Sequence, residues 1–120
     1  MTEGLKGREM GRMFSLDVVD TDKFLELPPA AQLLYFHLGM RADDDGFLSG
    51  ACELAERIGA CDAELDTLLD AGYIIRFDSG VIAIVHWNVN NRIPKRQYTP
   101  TKHKRERSGI TLVNDVYMII

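Results

Sequence analysis

Between Asp62 and Trp87 the chain reads "DAELDTLLDAGYIIRFDSGVIAIVHW" and changes its apolar period once, at a glycine. Before that point Leu65, Leu68 and Leu69 recur at helical spacing, with Asp62 placed to cap the helix and Gly72 suited to the left-handed residue that closes one. After it, two β-prone runs, residues 73–77 and 81–87, flank the turn-forming triplet Asp78-Ser79-Gly80, a hairpin signal. A helix running directly into a hairpin limits what the preceding residues can be.

Those residues supply more helices. Asp20 or Thr21 is expected to cap a short helix reaching Leu25, because a side-chain oxygen there satisfies an otherwise unpaired backbone N–H. Pro28 and Pro29 break it, and Pro29 suits the first position of the next helix. In that helix Ala30, Leu33, Leu34, His37 and Leu38 are expected to form the buried face, widened by Phe36 and Met40. Phe47 and Leu48 read as a minimal strand. Ala51, Leu54, Ala55 and Ile58 then mark a helix capped by Ser49, and Gly59-Ala60-Cys61 is the short turn of a helix-turn-helix. Helix, short strand, helix, turn, helix, hairpin is the order of a winged helix-turn-helix, so the expected class is α+β: a three-helix core with a β-hairpin wing. The expected organisation is a flexible N-terminus over 1–12, the winged-helix domain over 13–90, a basic extension over 91–108, and a C-terminal hairpin or strand over 109–120 turning at Asn114-Asp115.

Charge is distributed unevenly. Residues 1–90 carry 7 basic and 16 acidic side chains, whereas residues 91–108, "NRIPKRQYTPTKHKRERS", carry 7 basic and 1 acidic. An acidic body bearing a cationic segment points to an anionic partner for that segment, although a merely solvated tail has the same composition. Two cysteines, Cys52 and Cys61, are too few for a disulfide framework and fit no zinc spacing. No apolar run approaches the ~20 residues of a membrane span, and "MTEGLKGREMGRMFS" lacks the apolar region of a secretory signal. The expectation is a cytoplasmic protein in reduced form with no membrane partner.

The stretches "MFSLDVVDTDKFLELPPAAQLLYFHLGMRADDDGFL", "IGA", "YIIRFDSGVIAIVHW" and "NNRIPKRQYTPT" resemble the N-terminal domain of phage and prophage replication-initiation proteins, the replisome-organiser group related to DnaD-like primosome proteins. The resemblance spans roughly Arg12 to Thr101. Its most specific parts are "LLYFHLGMRADDDGF" and the "HW" followed by Asn, Arg and "YTPT". It implies a winged-helix domain used in DNA replication, often followed by further sequence such as a second domain for loader contacts, which would lie beyond Ile120. It implies no catalytic residue.

Several residues invite chemical readings. Asp43, Asp44 and Asp45 before Gly46 lack the alternating acids and the later Glu of a calcium loop, since positions 41 and 52 are Arg and Cys. A turn whose carboxylates accept local N–H groups is the better reading. His37 is expected to be a satisfied core histidine. His86 and Trp87 are expected on one strand and so on opposite faces, with one of them exposed. His103 lies in the basic run. No nucleophile triad, phosphate loop or metal motif is present, so the expectation is no cofactor, no metal and a binding protein, not an enzyme.

The second helix of a helix-turn-helix normally enters the major groove, but here it carries Asp62, Glu64, Asp66 and Asp70 with no Lys or Arg. Its early acids complement the helix dipole, while Asp66 and Asp70 repel each other and would repel phosphates. Thr67 is its only neutral polar candidate for base reading. DNA contact, to single or double strands, is therefore expected elsewhere: at Arg76 on the wing, at Asn88, Asn90, Asn91 and Arg92 after it, and at Lys95, Arg96, Tyr98, Lys102, Lys104, Arg105 and Arg107. Two other readings stand beside this one. The domain could assemble with replisome proteins or with itself through its acidic helix and the apolar end "VYMII", or regulate transcription, which would need dimeric half-site reading that an acidic helix does not serve.

Overall fold

The computed structural model describes residues 11–120. Five residues after it begins, two short helices form, α1 (Leu16–Val19) and α2 (Asp22–Leu25). Ser15 caps the first and Thr21 the second, each accepting a backbone N–H from two or three residues on. Helix α3 (Pro29–Arg41) follows with proline at its first position. Strand β1 (Phe47–Leu48), helix α4 (Ala51–Arg57), helix α5 (Asp62–Asp70), strand β2 (Ile74–Arg76) and strand β3 (Ile82–Ile84) complete the first two-thirds of the chain. The sheet order is β1-β3-β2, all antiparallel, with Ala83 opposite both Phe47 and Ile75.

The buried face of α3 matches the expected one at Leu34 and Leu38 but is turned elsewhere, and Met40, expected to widen it, is 54% exposed. Ala31, Leu34, Tyr35, Leu38 and Gly39 are buried, whereas Ala30 is exposed, Leu33 is 47% exposed and His37 is half-exposed. The face is set by rings that arrive from outside the helix. Tyr35 packs edge-on against Phe24 (5.2 Å between centroids) and Tyr73 (5.8 Å), and Phe14 closes over Gly39. His37 is therefore no core histidine; its Nδ1 lies 3.0 Å from Nη1 of Arg41 one turn on.

Two caps also differ. Helix α4 begins after Gly50, in the left-handed region at φ +76, and the Ser49 side chain makes no cap. At α5 the cap position is Cys61, one residue before Asp62, and the Glu64 carboxylate reaches back to accept the Cys61 N–H (2.8 Å). Leu65 and Leu68 are buried as expected, but Leu69 lies at the rim. Gly72 is left-handed at φ +86, as a helix end requires.

Strand β3 ends earlier than the pattern implies. Val85 and His86 form a turn and Trp87 starts a short helix, α6 (Trp87–Asn90), so His86 and Trp87 do not share a strand. Trp87 is 1% exposed and His86 is half-buried.

Beyond α6 the chain makes a 3-10 turn (Lys95–Gln97), helix α7 (Lys104–Arg107) and a second hairpin of β4 (Ile110–Val113) and β5 (Val116–Ile119). Asn114 and Asp115 carry the hairpin with φ of 53 and 66, the left-handed pair that a two-residue turn demands. Ile110 and Tyr117 belong to the same core as α3 and the three-stranded sheet, so the chain after residue 90 is packed against the body. The described residues thus form an α+β fold of seven α-helices and two small antiparallel sheets. None of its helices is long and apolar enough to cross a membrane.

Candidate nucleic-acid interface

The acidic turn between α3 and β1 binds several stretches of the later chain. Asp43 accepts the backbone N–H groups of Asp45 and Phe47, both at 3.0 Å, the local role expected of it. All but one of the remaining carboxylate oxygens serve residues more than fifty positions away, the exception pairing with Arg12. Asp45 accepts the Tyr98 hydroxyl (2.7 and 2.8 Å) and the Thr101 N–H (2.8 Å). Asp44 accepts the Thr99 N–H (2.9 Å) and pairs with Arg12 (3.0 Å), while the Thr101 hydroxyl donates to Asp43. The turn's carbonyls are used as well: Trp87 Nε1 donates to Asp44 and the Tyr117 hydroxyl to Asp45, both at 2.8 Å. Charge-assisted bonds of this kind are roughly twice as strong as neutral ones. "RADDDGF", "HW" and "YTPT" are thus one connected structure: a lock that straps the basic segment to the body.

The lock explains where the expected site residues lie. Asn90 and Asn91 are buried and do not reach solvent. Asn90 accepts the Ser15 N–H (2.8 Å) and donates to the Tyr35 hydroxyl (3.0 Å), while Asn91 accepts from the Met13 N–H (2.9 Å) and donates to its carbonyl (3.2 Å). Both anchor the N-terminal segment, and neither side chain is exposed for the DNA contact expected of it. Asn88 lies half-buried beside Tyr117, and Arg107 is occupied, donating to the Ile110 carbonyl (2.8 Å) with its guanidinium 5.3 Å above the Tyr117 ring. Tyr98 is a strut of the lock; partial burial first and the Asp45 carboxylate second push its pKa up to about 12. Arg76 sits on β2, away from the hairpin tip, 3.6 Å from Asp66. Arg92 pairs with Asp115 at 3.5 Å. Lys104 is exposed and donates to the Thr101 carbonyl (3.0 Å). Lys95, Arg96, Lys102 and Arg105 are exposed, with no ion pair or side-chain hydrogen bond among the described residues.

Helix α7 touches the first hairpin, where the Ser79 hydroxyl donates to Glu106 (2.6 Å), a bond that holds the Glu106 carboxyl below its ordinary range. On α5, Asp62, Asp66 and Asp70 fall one turn apart and are all exposed, forming a stripe that among the described residues pairs only with Arg76, at Asp66. The α5 surface is as anionic as its sequence implies.

Sequence reasoning missed an open groove of about 880 Å³ between the end of α3, the β1–α4 stretch and residues 97–103. Arg41, Arg57 and Lys102 line it from three different segments, and the His103 ring stacks on Phe47 at 6.5 Å. Arg41 and Arg57 belong to the acidic part of the chain and carry no linear signal; only folding brings them beside Lys102. Comparison with family models, with curated proteins and with solved structures found no match for this chain.

Proposed function

We propose that this chain is a winged-helix domain that binds DNA by phosphate neutralisation, in the manner expected of a cytoplasmic replication-initiation protein of the phage or prophage type. The winged-helix reading rests on α3, α4 and α5 followed by the β2–β3 hairpin, with β1 as the third strand. The observation that carries the DNA reading is the exposed set Lys95, Arg96, Lys102, Lys104 and Arg105, held in place by the acidic lock. A cationic segment fixed to a rigid body loses less entropy on binding than a loose tail. The acidic stripe of α5 turns that helix away from the duplex.

The test is fluorescence anisotropy of labelled duplex DNA at several salt concentrations. Five phosphate contacts give a slope of log affinity against log salt of about −4 to −5. The variant carrying Lys95→Ala, Arg96→Ala, Lys104→Ala and Arg105→Ala should lose most of that slope and at least about a hundredfold in affinity at low salt. An unchanged slope would remove the segment from the interface. Point substitutions are preferable to truncation at Asn91, which would strip Thr101, Ile110 and Tyr117 from the lock and the core.

A second reading, assembly with a replisome protein or with another copy, is favoured by the exposure of Leu112, Val113, Met118, Ile119 and Ile120 on the C-terminal hairpin. Light scattering that returns a single-chain mass across concentrations would count against self-assembly.

A further inference from the structure

We infer that the groove between α3, α4 and the 97–103 segment is the path of a single DNA strand, with Arg41 and Arg57 joining Lys102 as phosphate contacts along it. The inference rests on the nucleic-acid reading above and adds a strand class and two residues to it. A cleft of this volume is of the size that takes small, flexible ligands, and a duplex, with its phosphates on the outside of a much wider rod, does not enter it. A single strand does, and proteins that hold one combine a cationic groove with a ring on which a base can stack.

The electrostatics of the groove support a phosphate-bearing occupant. Arg41, Arg57 and Lys102 have no carboxylate partner among the described residues; Arg41 donates to the His37 carbonyl one turn back at the end of α3. The acids that also line it are mostly spoken for. Asp43 accepts two backbone N–H groups and the Thr101 hydroxyl, neutral donors that bring no countercharge, while Asp44 pairs with Arg12 and accepts the Thr99 N–H. Glu53, on the first turn of α4, is the one lining carboxylate with no partner among the described residues. With Arg12 and Asp44 paired, the remaining cations Arg41, Arg57 and Lys102 outnumber the remaining acids Asp43 and Glu53 by three to two, and His103 offers the flat ring.

The experiment is anisotropy of a labelled oligothymidylate of about ten nucleotides against the full chain, beside the duplex. Arg41→Ala with Arg57→Ala should weaken oligothymidylate binding about tenfold or more and leave duplex binding within about twofold. Glu53→Gln should tighten oligothymidylate binding several-fold, a gain that misfolding cannot produce. If the wild-type chain binds both probes but all three substitutions leave the oligothymidylate affinity unchanged, the groove is not the strand path and the duplex reading survives alone. If the wild-type chain binds neither probe at low salt, the nucleic-acid reading fails and takes this one with it. Displacement of the oligomer by thymidine triphosphate at equal nucleotide concentration would make the groove a free-nucleotide site and overturn the strand assignment.

Discussion

Gly46 has no room for a side chain. Its φ is +87, and a Cβ there would sit 2.6 Å from Cγ of Trp87, whose indole N–H is fixed on the Asp44 carbonyl. Two penalties therefore add at this residue, left-handed strain and a clash with a buried indole. We expect Gly46→Ala to cost about 3 kcal/mol in urea unfolding. Gly59 supplies the control: it has φ +82 but nothing within 4 Å, so Gly59→Ala should cost only about 1 kcal/mol. Equal costs at the two sites would mean that Trp87 yields. The local half of the acidic turn's role was legible, because aspartates before a glycine favour a turn. Its long-range half was not: nothing in "DDD" states that "YTPT" will supply the donors. Only the co-occurrence of the two stretches in one recognisable pattern hinted that they belong together.

At the scale of elements, order was legible and phase was not. The Thr21 cap, the Gly72 closure, both hairpins and the left-handed Asn114-Asp115 turn follow from local chemistry and are found where it puts them. Helix α3 is apolar nearly all round, with Ala30, Ala31, Leu33, Leu34, Tyr35, Phe36, Leu38 and Met40 in one run. Several faces of such a helix are equally greasy, and the choice among them was made by Phe14, Phe24 and Tyr73 from distant parts of the chain. The same blindness made Asn90 and Asn91 resemble DNA contacts. Asparagine after a hairpin suits a phosphate or a base edge as well as it suits a buried backbone. We expect Asn90→Ala to destabilise the fold by about 2 to 3 kcal/mol, since it strands the Ser15 N–H and the Tyr35 hydroxyl. Measured at a temperature where the variant remains folded, its DNA affinity should match that of the wild type; a loss of affinity without loss of stability would return Asn90 to the interface.

For the molecule as a whole, pH should act from both ends. All four tyrosines have raised pKa values: burial comes first at Tyr35, Tyr73, Tyr98 and Tyr117, and three of them are pushed up to about 12. A raised folded pKa means the neutral phenol is favoured in the native state. Its contribution is complete below the ordinary value of 10.0 and is lost as pH climbs through about 12. The tyrosinate absorbance of the folded protein should therefore lag that of free tyrosine and rise together with loss of helical circular dichroism. At the acid end, burial and then the nearby charge of Lys23 lower the pKa of His86, whose Nδ1 is buried without a partner among the described residues. That contribution is complete above the ordinary 6.5 and declines as pH falls below it. Stability rising as pH drops from 7 towards 5 would contradict this account of His86. Charge asymmetry between body and segment was visible in the sequence. That the segment would be strapped down, and would lay Lys102 beside Arg41 and Arg57, was not, because those three cations are neighbours only in space.

The lock also sets a clock on the birth of the protein. The donors it takes from residues 98–101 follow their carboxylates by 53 to 58 residues, so Asp43, Asp44 and Asp45 are translated long before Tyr98, Thr99 and Thr101. At about 5–20 residues per second, the ribosome leaves that interval open for roughly 3 to 12 seconds. Within it α4, α5 and the first hairpin are translated, while Asp45 and one oxygen each of Asp43 and Asp44 wait for partners from residues 98–101. A chaperone or protease that distinguishes finished from unfinished molecules has this unfastened turn to read.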